Sequence, residues 1–341
     1  MTHCEIKTET LTQVLTQMLG EAVTHADYKL TPLKGGTVGE VYLVTGTATT
    51  ATAQSPYKVV LKVQKKWERH GDPNSWRREY DLYMSPLGQS FSADFGWPTC
   101  YYAEFSEDET RLWMEYAVGA TGEALTLEML EKAAAGLGRY QGKLYAEKPA
   151  YLQDITNLGQ TNAVENYYRH WKPKNVEYAY VRAADCEIPK HLRHMLMDID
   201  SRADAIFENI RKLPVVFCHR DFWHANIIAG TGRITLIDWD TAGWGYLGED
   251  VGQLITDETD PAQWKTYRQK LIPAYLHGAW EYMEPDPEQE EIICQIIVIH
   301  TGYLYVWHYM QAETPEEKAH YIRALEALYD VFYKPNGGIT Q

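Results

Sequence analysis

Basic residues are in short supply in this chain of 341 residues. Lys and Arg number 32 against 47 Asp and Glu, a formal net charge of −15. Nucleic acids and anionic membranes are held by clustered cations, so this balance argues against both as partners. Cysteine is sparse and scattered, at Cys4, Cys100, Cys186, Cys218 and Cys294, with no C-x-x-C pair. Such usage argues against a disulfide framework or a thiolate zinc site and suits a reducing cytoplasm. The first residues lack both a basic stretch and an apolar core, so no secretory signal is expected. No apolar run is clean enough to suggest a membrane span. Residues 292–310 come nearest, but Gln295, His300, Thr301 and His308 interrupt them and Glu288, Glu290 and Glu291 precede them. Polar groups are costly in lipid, so this stretch reads as a buried core helix of a soluble protein.

What is present is an ordinary globular balance, 45% hydrophobic and 23% charged, at a length that suits two lobes. Leu11, Val14, Leu15, Met18 and Leu19 recur at helical spacing and predict an amphipathic opening helix. Residues 41–44 and 57–63 are β-branched or aromatic runs and predict strands. The Thr/Ala-rich stretch 45–56 between them is low in complexity and is expected to be a mobile hairpin tip. Residues 75–87 look helical up to Pro86, and 112–118 form a further strand ending at Gly119. Beyond that point the pattern turns helical, except for short strands at 215–217, 226–229 and 234–237, the last two joined as a hairpin. The expected organisation is a β-rich lobe over 1–117 and a mostly helical lobe over 118–341.

The strongest chemical signal lies beside that hairpin. His219, Asp221 and Asn226 match H-x-D-x-x-x-x-N, and Asp238 and Asp240 follow just after the hairpin. A carboxylate and an amide at this spacing on one loop can act on one nucleotide: Asp221 orients and deprotonates a hydroxyl, and Asn226 binds a metal. The returning hairpin brings Asp238 to the same ion. Hard oxygen ligands of this kind, completed by phosphate oxygens, suit Mg²⁺. The plain reading is that these are ordinary polar turn residues. The coincidence of spacing, flanking apolar strands and a second acidic motif favours the chemical one.

With these residues in place the sequence resembles the aminoglycoside phosphotransferase/choline kinase family, small-molecule kinases with the protein-kinase fold, over nearly its whole length. The resemblance implies an α+β, two-lobed protein-kinase-like fold with a small β-rich N-lobe and a larger helical C-lobe. It also implies a counterpart for each part of the kinase site. Lys62, in the strand 59–63, stands where the family keeps the lysine that pairs with the α/β-phosphates. Glu79 fits the glutamate that positions that lysine, with Glu68 as the nearest rival. Gly36, Thr37 and Gly39 match the phosphate-covering loop, although Lys34 replaces its usual first glycine. Glu115 and Ala117 would offer backbone groups to the purine. Asp221 is the implied catalytic residue, Asn226 and Asp238 the metal ligands, and ATP or GTP the donor with Mg²⁺. His219 would brace the loop, Asp250 is read as scaffold, and Asp240 either touches a second metal or caps the turn.

The acceptor is less legible. Residues 241–341 carry 16 Asp and Glu against 6 Lys and Arg, together with aromatics such as Trp264, Tyr275, Tyr303, Tyr305 and Tyr309. Acids and aromatics together suit a small cationic, hydroxylated acceptor such as an aminoglycoside-like antibiotic or a choline-like amine. The plain alternative is a solvated acidic face over an aromatic core. A protein substrate is disfavoured, because residues 238–249 leave no room for a long activation segment and no A-P-E follows. His191 and His194 lack a third ligand for zinc, and His300 and His308 read as core histidines. The competing functional reading is a silent nucleotide- or ligand-binding module of the same fold. No obligate protein partner is implied, and the expected setting is cytoplasmic.

Overall fold

The structure, a computed structural model, describes residues 5–33, 39–67, 69, 72–170 and 172–334, with only the backbone of 172–174. The expected contributions of Gly36 and Thr37, with Lys34 and the rival Glu68, lie outside these residues. Two compact units are present. One comprises Met1–Ala120, Tyr151–Asn157 and Ile228–Asp240; the other comprises Thr121–Ala150, Leu158–Ile227 and Thr241–Gln341.

The first unit is built on an antiparallel sheet. Its elements are α1 (Thr8–Leu19), β1 (Val23–Ala26), β2 (Lys29–Pro32), β3 (Glu40–Thr50), β4 (Gln54–Lys65), α2 (Ser75–Met84), β5 (Phe95–Gly96), β6 (Cys100–Phe105) and β7 (Glu109–Glu115). The strand order is β1-β3-β4-β7-β6, with β2 also on β3. Side chains alternate across a strand, so Tyr57, Val59, Leu61 and Val63 of β4 face one way. They meet Leu11, Val14 and Leu15 of α1 in a buried core that also holds Val44 and Trp113. The same alternation turns Lys62 to the other face, where α2 packs on β4, β6 and β7.

The stretch 45–56 is not a mobile tip. β3 runs on to Thr50 and β4 starts at Gln54, so residues 51–53 alone make the turn, closed by the Thr50 N–H donating to the Ala53 carbonyl at 2.9 Å. Thr45, Thr47, Thr49 and Thr50 are β-branched and suit a pleated strand. That preference prevails over the low complexity, and Thr45 to Thr49 pair in register with Lys58 to Gln54.

The second unit is helical: α3 (Leu127–Glu147), α4 (Ala163–His170), α5 (Lys172–Arg182), α6 (Lys190–Ser201), α7 (Ala203–Ile210), α8 (Glu249–Thr256), α9 (Trp264–Trp280), α10 (Glu288–Gln311) and α11 (Pro315–Leu328). Among the described residues it also carries a two-stranded antiparallel ribbon, β8 (Val215–Cys218) with β11 (Gly243–Tyr246). Between these in sequence lies the hairpin β9 (Ile227–Gly230) and β10 (Arg233–Leu236), whose β10 pairs in parallel with β5. Helix α10 contains the apolar stretch 292–310 and is buried along most of its length. No described helix is long and apolar enough to cross a membrane.

Helices α3 and α9 cross at close range because glycines stand on both. A Cβ on Gly138 would fall on the Tyr275 carbonyl, one on Gly278 on the Ala135 carbonyl, and one on Gly142 only 2.6 Å from the Ala279 carbonyl. The absence of side chains at these positions sets the spacing of the two helices.

Candidate functional site

In the first unit the inward face of the sheet gathers one lysine and three acids. Lys62 is buried on β4, with its ammonium 2.5 Å from Glu79 Oε2 on α2 and 2.6 Å from Asp238 Oδ1. Burial alone would lower its pKa, but the charges and hydrogen bonds of Asp238 and Glu79 outweigh that and raise it, so the side chain is held as a cation. The second carboxylate oxygen of Glu79, Oε1, accepts the Trp239 N–H at 3.3 Å. Asp238 itself has φ +66°, the left-handed region that side chains other than glycine enter at a cost. The next residue, Trp239, is fully buried, its ring edge-on to Trp97 and Phe91 at 5.6 and 5.7 Å. Burial pushes the Asp240 carboxyl up to about 6, the neighbouring Asp238 charge adds to the rise, and Arg69, 3.2 Å away, opposes it.

In the second unit a different constellation shapes the loop after β8. Asp250, at the start of α8 and fully buried, accepts the backbone N–H of His219 at 2.9 Å and of Arg220 at 2.7 Å. Gln141 of α3 donates to the same carboxylate at 2.7 Å. Burial raises the Asp250 pKa, and these hydrogen bonds act against it. Arg220 has φ +66°, and this cradle, with Gln253 Nε2 donating to its carbonyl at 3.2 Å, holds the turn that presents Asp221. Asn226 donates through Nδ2 to the Asp221 carboxylate at 2.7 Å and to its carbonyl at 2.9 Å. The amide nitrogen is thus spent on Asp221, which makes Oδ1 the atom suited to a cation.

The remaining sequence-derived residues fall as follows. Gly39 stands before β3, where a Cβ would come 2.6 Å from Gln64 Oε1. The Glu115 N–H is committed to the Thr99 carbonyl at 2.8 Å, and its carboxylate accepts both the Thr99 N–H and hydroxyl at 3.1 Å. Of the backbone groups expected to read a purine there, that N–H is already used. Ala117 lies just beyond β7, half-buried. Of the core histidines, His300 has its pKa pushed down to about 4 by burial and packs on Tyr167 at 5.4 Å. His191 pairs with Glu326 at 2.8 Å rather than with a metal set.

Sequence reasoning missed several participants. Arg69 and Arg78 converge on Asp240, through its carboxylate and its carbonyl. Gln141 and Gln253 support the Asp221 loop from helices far along the chain. Asp257 is pushed up to about 7 by burial and by the charge of Asp221. Glu249 reaches about 7 by burial and lines a cavity of about 200 Å³ with Arg220, Gln253, Tyr167 and His300. One signal was readable, since Arg78 adjoins Glu79 in sequence. The others depend on folding.

The donor chemistry fits a hard divalent cation. Asp238 in the first unit and Asn226 in the second each carry an oxygen donor, and in the first unit Lys62 is shared by the carboxylates of Glu79 and Asp238. Burial first, and the charge of Asp238 second, raise the Asp240 carboxyl, and carboxylate and amide oxygens of this kind are what a hard cation takes. Among the described residues no group of three or more His, Cys, Asp and Glu is arranged to hold a metal by itself, so oxygens from a bound phosphate would have to help complete a coordination shell.

Known proteins place the chain. No curated protein matches the sequence. Among solved structures, a microcompartment-associated aminopropanol kinase aligns with TM-score 0.55 at 14% identity, covering 94% of each chain. A choline kinase from Cryptosporidium parvum Iowa II gives TM-score 0.55 at 14% identity over 91% of each chain. An amicoumacin kinase in complex with AMP-PNP, Ca²⁺ and Ami gives 0.50 at 16% identity, over 93% of this chain and 92% of that one. These likenesses show an α+β, protein-kinase-like fold, with a β-rich N-lobe and a helical C-lobe, as the motifs implied. The model described as the phosphotransferase enzyme family (APH) matches residues 100–285. That match spans more than half of the chain, and the chain accordingly belongs to the phosphotransferase enzyme family.

Proposed function

We propose that the protein transfers the γ-phosphoryl group of ATP or GTP to a hydroxyl of a small cationic molecule, with Mg²⁺ as the cofactor. The observation that carries this reading is the double pairing of Lys62 with Glu79 and Asp238. A buried lysine held by one carboxylate on a helix and a second in a strained turn is costly to build. It is the arrangement needed to offer a positioned cation to phosphates and an acid to a metal. In this reading residues 1–117 bind the nucleotide, with Gly36, Thr37 and Gly39 over the phosphates and Glu115 and Ala117 at the base. Residues 118–341 supply the acceptor pocket and Asp221. Asp238 and Asn226 would hold the cation, which would supply charge neutralisation at the phosphates. Asp221, oriented by Asn226, accepts the proton of the acceptor hydroxyl.

A cationic acceptor is supported by the acid excess of residues 241–341 and by Asp257 and Glu249, whose raised pKa values an ammonium group would bring down. Two of the proteins sharing the fold are kinases named for aminopropanol and choline. Among the described residues Cys100, Cys186, Cys218 and Cys294 are all free, which suits a cytoplasmic setting.

The test is Mg²⁺-dependent ADP release over a panel of hydroxylated acceptors, cationic and neutral, with Asp221→Asn as the blank. Loss of a general base lowers kcat by about 100- to 10,000-fold, and nucleotide affinity should stay within a few-fold. Undiminished turnover in Asp221→Asn would remove the assignment. Nucleotide binding with no turnover on any acceptor would favour the binding-module reading.

A further inference from the structure

The first unit contains a wholly buried guanidinium with every edge engaged. Arg78 of α2 is 1% exposed. Its Nη2 donates to both oxygens of Asp72, at 2.6 and 2.7 Å. Its Nε donates to the Asn157 carbonyl at 2.9 Å, and its Nη1 to the Asp240 carbonyl at 2.9 Å. Asn157 is itself tied back to α2, donating to the Asn74 carbonyl at 2.9 Å and to Asp81 at 2.8 Å. A guanidinium withdrawn from water persists only when its donors are met this fully.

The use of the third edge is the informative one. Glu79, the next residue on α2, accepts the N–H of Trp239, while Arg78 donates to the carbonyl of Asp240. Two consecutive residues of one helix therefore grip the two residues that follow Asp238, one by its N–H and the other by its carbonyl. Asp238 sits just before this grip with φ +66°. A conformation of that kind is kept only where its surroundings over-determine it.

We propose that Arg78 is a positioning residue for the metal-binding turn, fixing Asp238 through the Asp240 carbonyl while Asp72 fixes Arg78. The proposal rests on the phosphotransferase reading above, in which Asp238 ligates the cation. It makes α2 the common support of two functions: Glu79 sets the phosphate-binding lysine, and Arg78 sets the metal-binding acid. Partners that orient a metal ligand are worth about 10- to 100-fold in metal affinity.

The experiment uses the full chain and Mn²⁺ as a spin probe, with AMP-PNP or GMP-PNP present, whichever the wild type binds, and reads free Mn²⁺ by electron paramagnetic resonance. Arg78→Gln should weaken Mn²⁺ binding by about 10- to 100-fold. Amide exchange in a peptide covering 236–241 should speed up in the same variant without any ligand. Lys132→Gln is the control: Lys132 pairs at the exposed surface of α3 with Glu128 at 2.8 Å, and the variant should leave Mn²⁺ affinity unchanged. Wild-type Mn²⁺ affinity in a folded Arg78→Gln protein overturns the proposal. If that variant does not fold, Asp72→Asn, which keeps a hydrogen-bonding partner for Arg78, should show a smaller loss in the same direction, and wild-type affinity there overturns it equally. Absence of Mn²⁺ binding in the wild type with AMP-PNP and with GMP-PNP alike would overturn the phosphotransferase reading itself, a result distinct from wild-type binding that Arg78 does not influence.

Discussion

Lys62 and Glu249 show how unevenly single residues announce themselves. Lys62 stands out in sequence because a charged residue interrupts an otherwise apolar strand, and the downstream H-x-D-x-x-x-x-N gives it a purpose. Replacing it by Met should raise the nucleotide KM and lower kcat together, and should also destabilise the fold, since Glu79 and Asp238 would lose a buried counter-charge. Steady-state kinetics and a denaturation curve read both effects. Glu249 looks like any acid of an acidic chain, because what sets it apart is burial. Its folded pKa is raised from 4.5 to about 7, so the folded state favours the neutral carboxyl. The unfolded chain ionises first as pH rises, and stability falls between roughly pH 4.5 and 7. Glu249→Gln keeps an acceptor for the Tyr246 N–H and removes that slope. The variant should match the wild type near pH 4.5 and exceed it at pH 8 by at most about 3 kcal/mol. Urea midpoints at the two pH values decide the matter, and a difference that does not grow with pH would count against it.

Among the elements, the amphipathic helices and the apolar α10 are legible because periodicity needs only local sequence. The crossing of α3 and α9 is not, since Gly138 and Gly142 acquire meaning only opposite Gly278. Their close approach has a functional reach: Gln141, between the two glycines of α3, donates to Asp250, and the Tyr275 hydroxyl of α9 donates to Gln141. Helix spacing thereby fixes the cradle under the Asp221 loop. Gly138→Ala forces a methyl against the Tyr275 backbone and should cost about 1–3 kcal/mol, as overpacking does. Its kcat should fall while nucleotide affinity holds, because Asp250 moves and the Lys62 cluster stays in place. Chemical denaturation and kinetics on one preparation would reveal either effect without the other. The Thr-rich hairpin teaches the converse lesson: low complexity suggested mobility, and cross-strand pairing of β-branched residues decided otherwise.

For the whole molecule, the spacing of a few motifs was enough to indicate the kinase-like fold, because they occur in the order that the fold requires. The net charge of −15 gives a prediction at this scale. For a cationic acceptor kcat/KM should fall as ionic strength rises from about 0.01 to 0.15 M, as the Debye length shrinks from about 30 to 8 Å, whereas a neutral acceptor should show little change. Initial rates across a salt series test it. What no local pattern disclosed is that the sheet-bearing unit is assembled from three separated stretches, the last ending at Asp240. During synthesis, therefore, β5 emerges long before its partner β10, and Trp97 and Phe91 before the Trp239 ring that packs on them. At about 5–20 residues per second a ribosome takes on the order of ten seconds to cover that interval. For that time the nascent chain carries uncovered aromatic surface, and the sheet-bearing unit stays incomplete until Asp240 has been made.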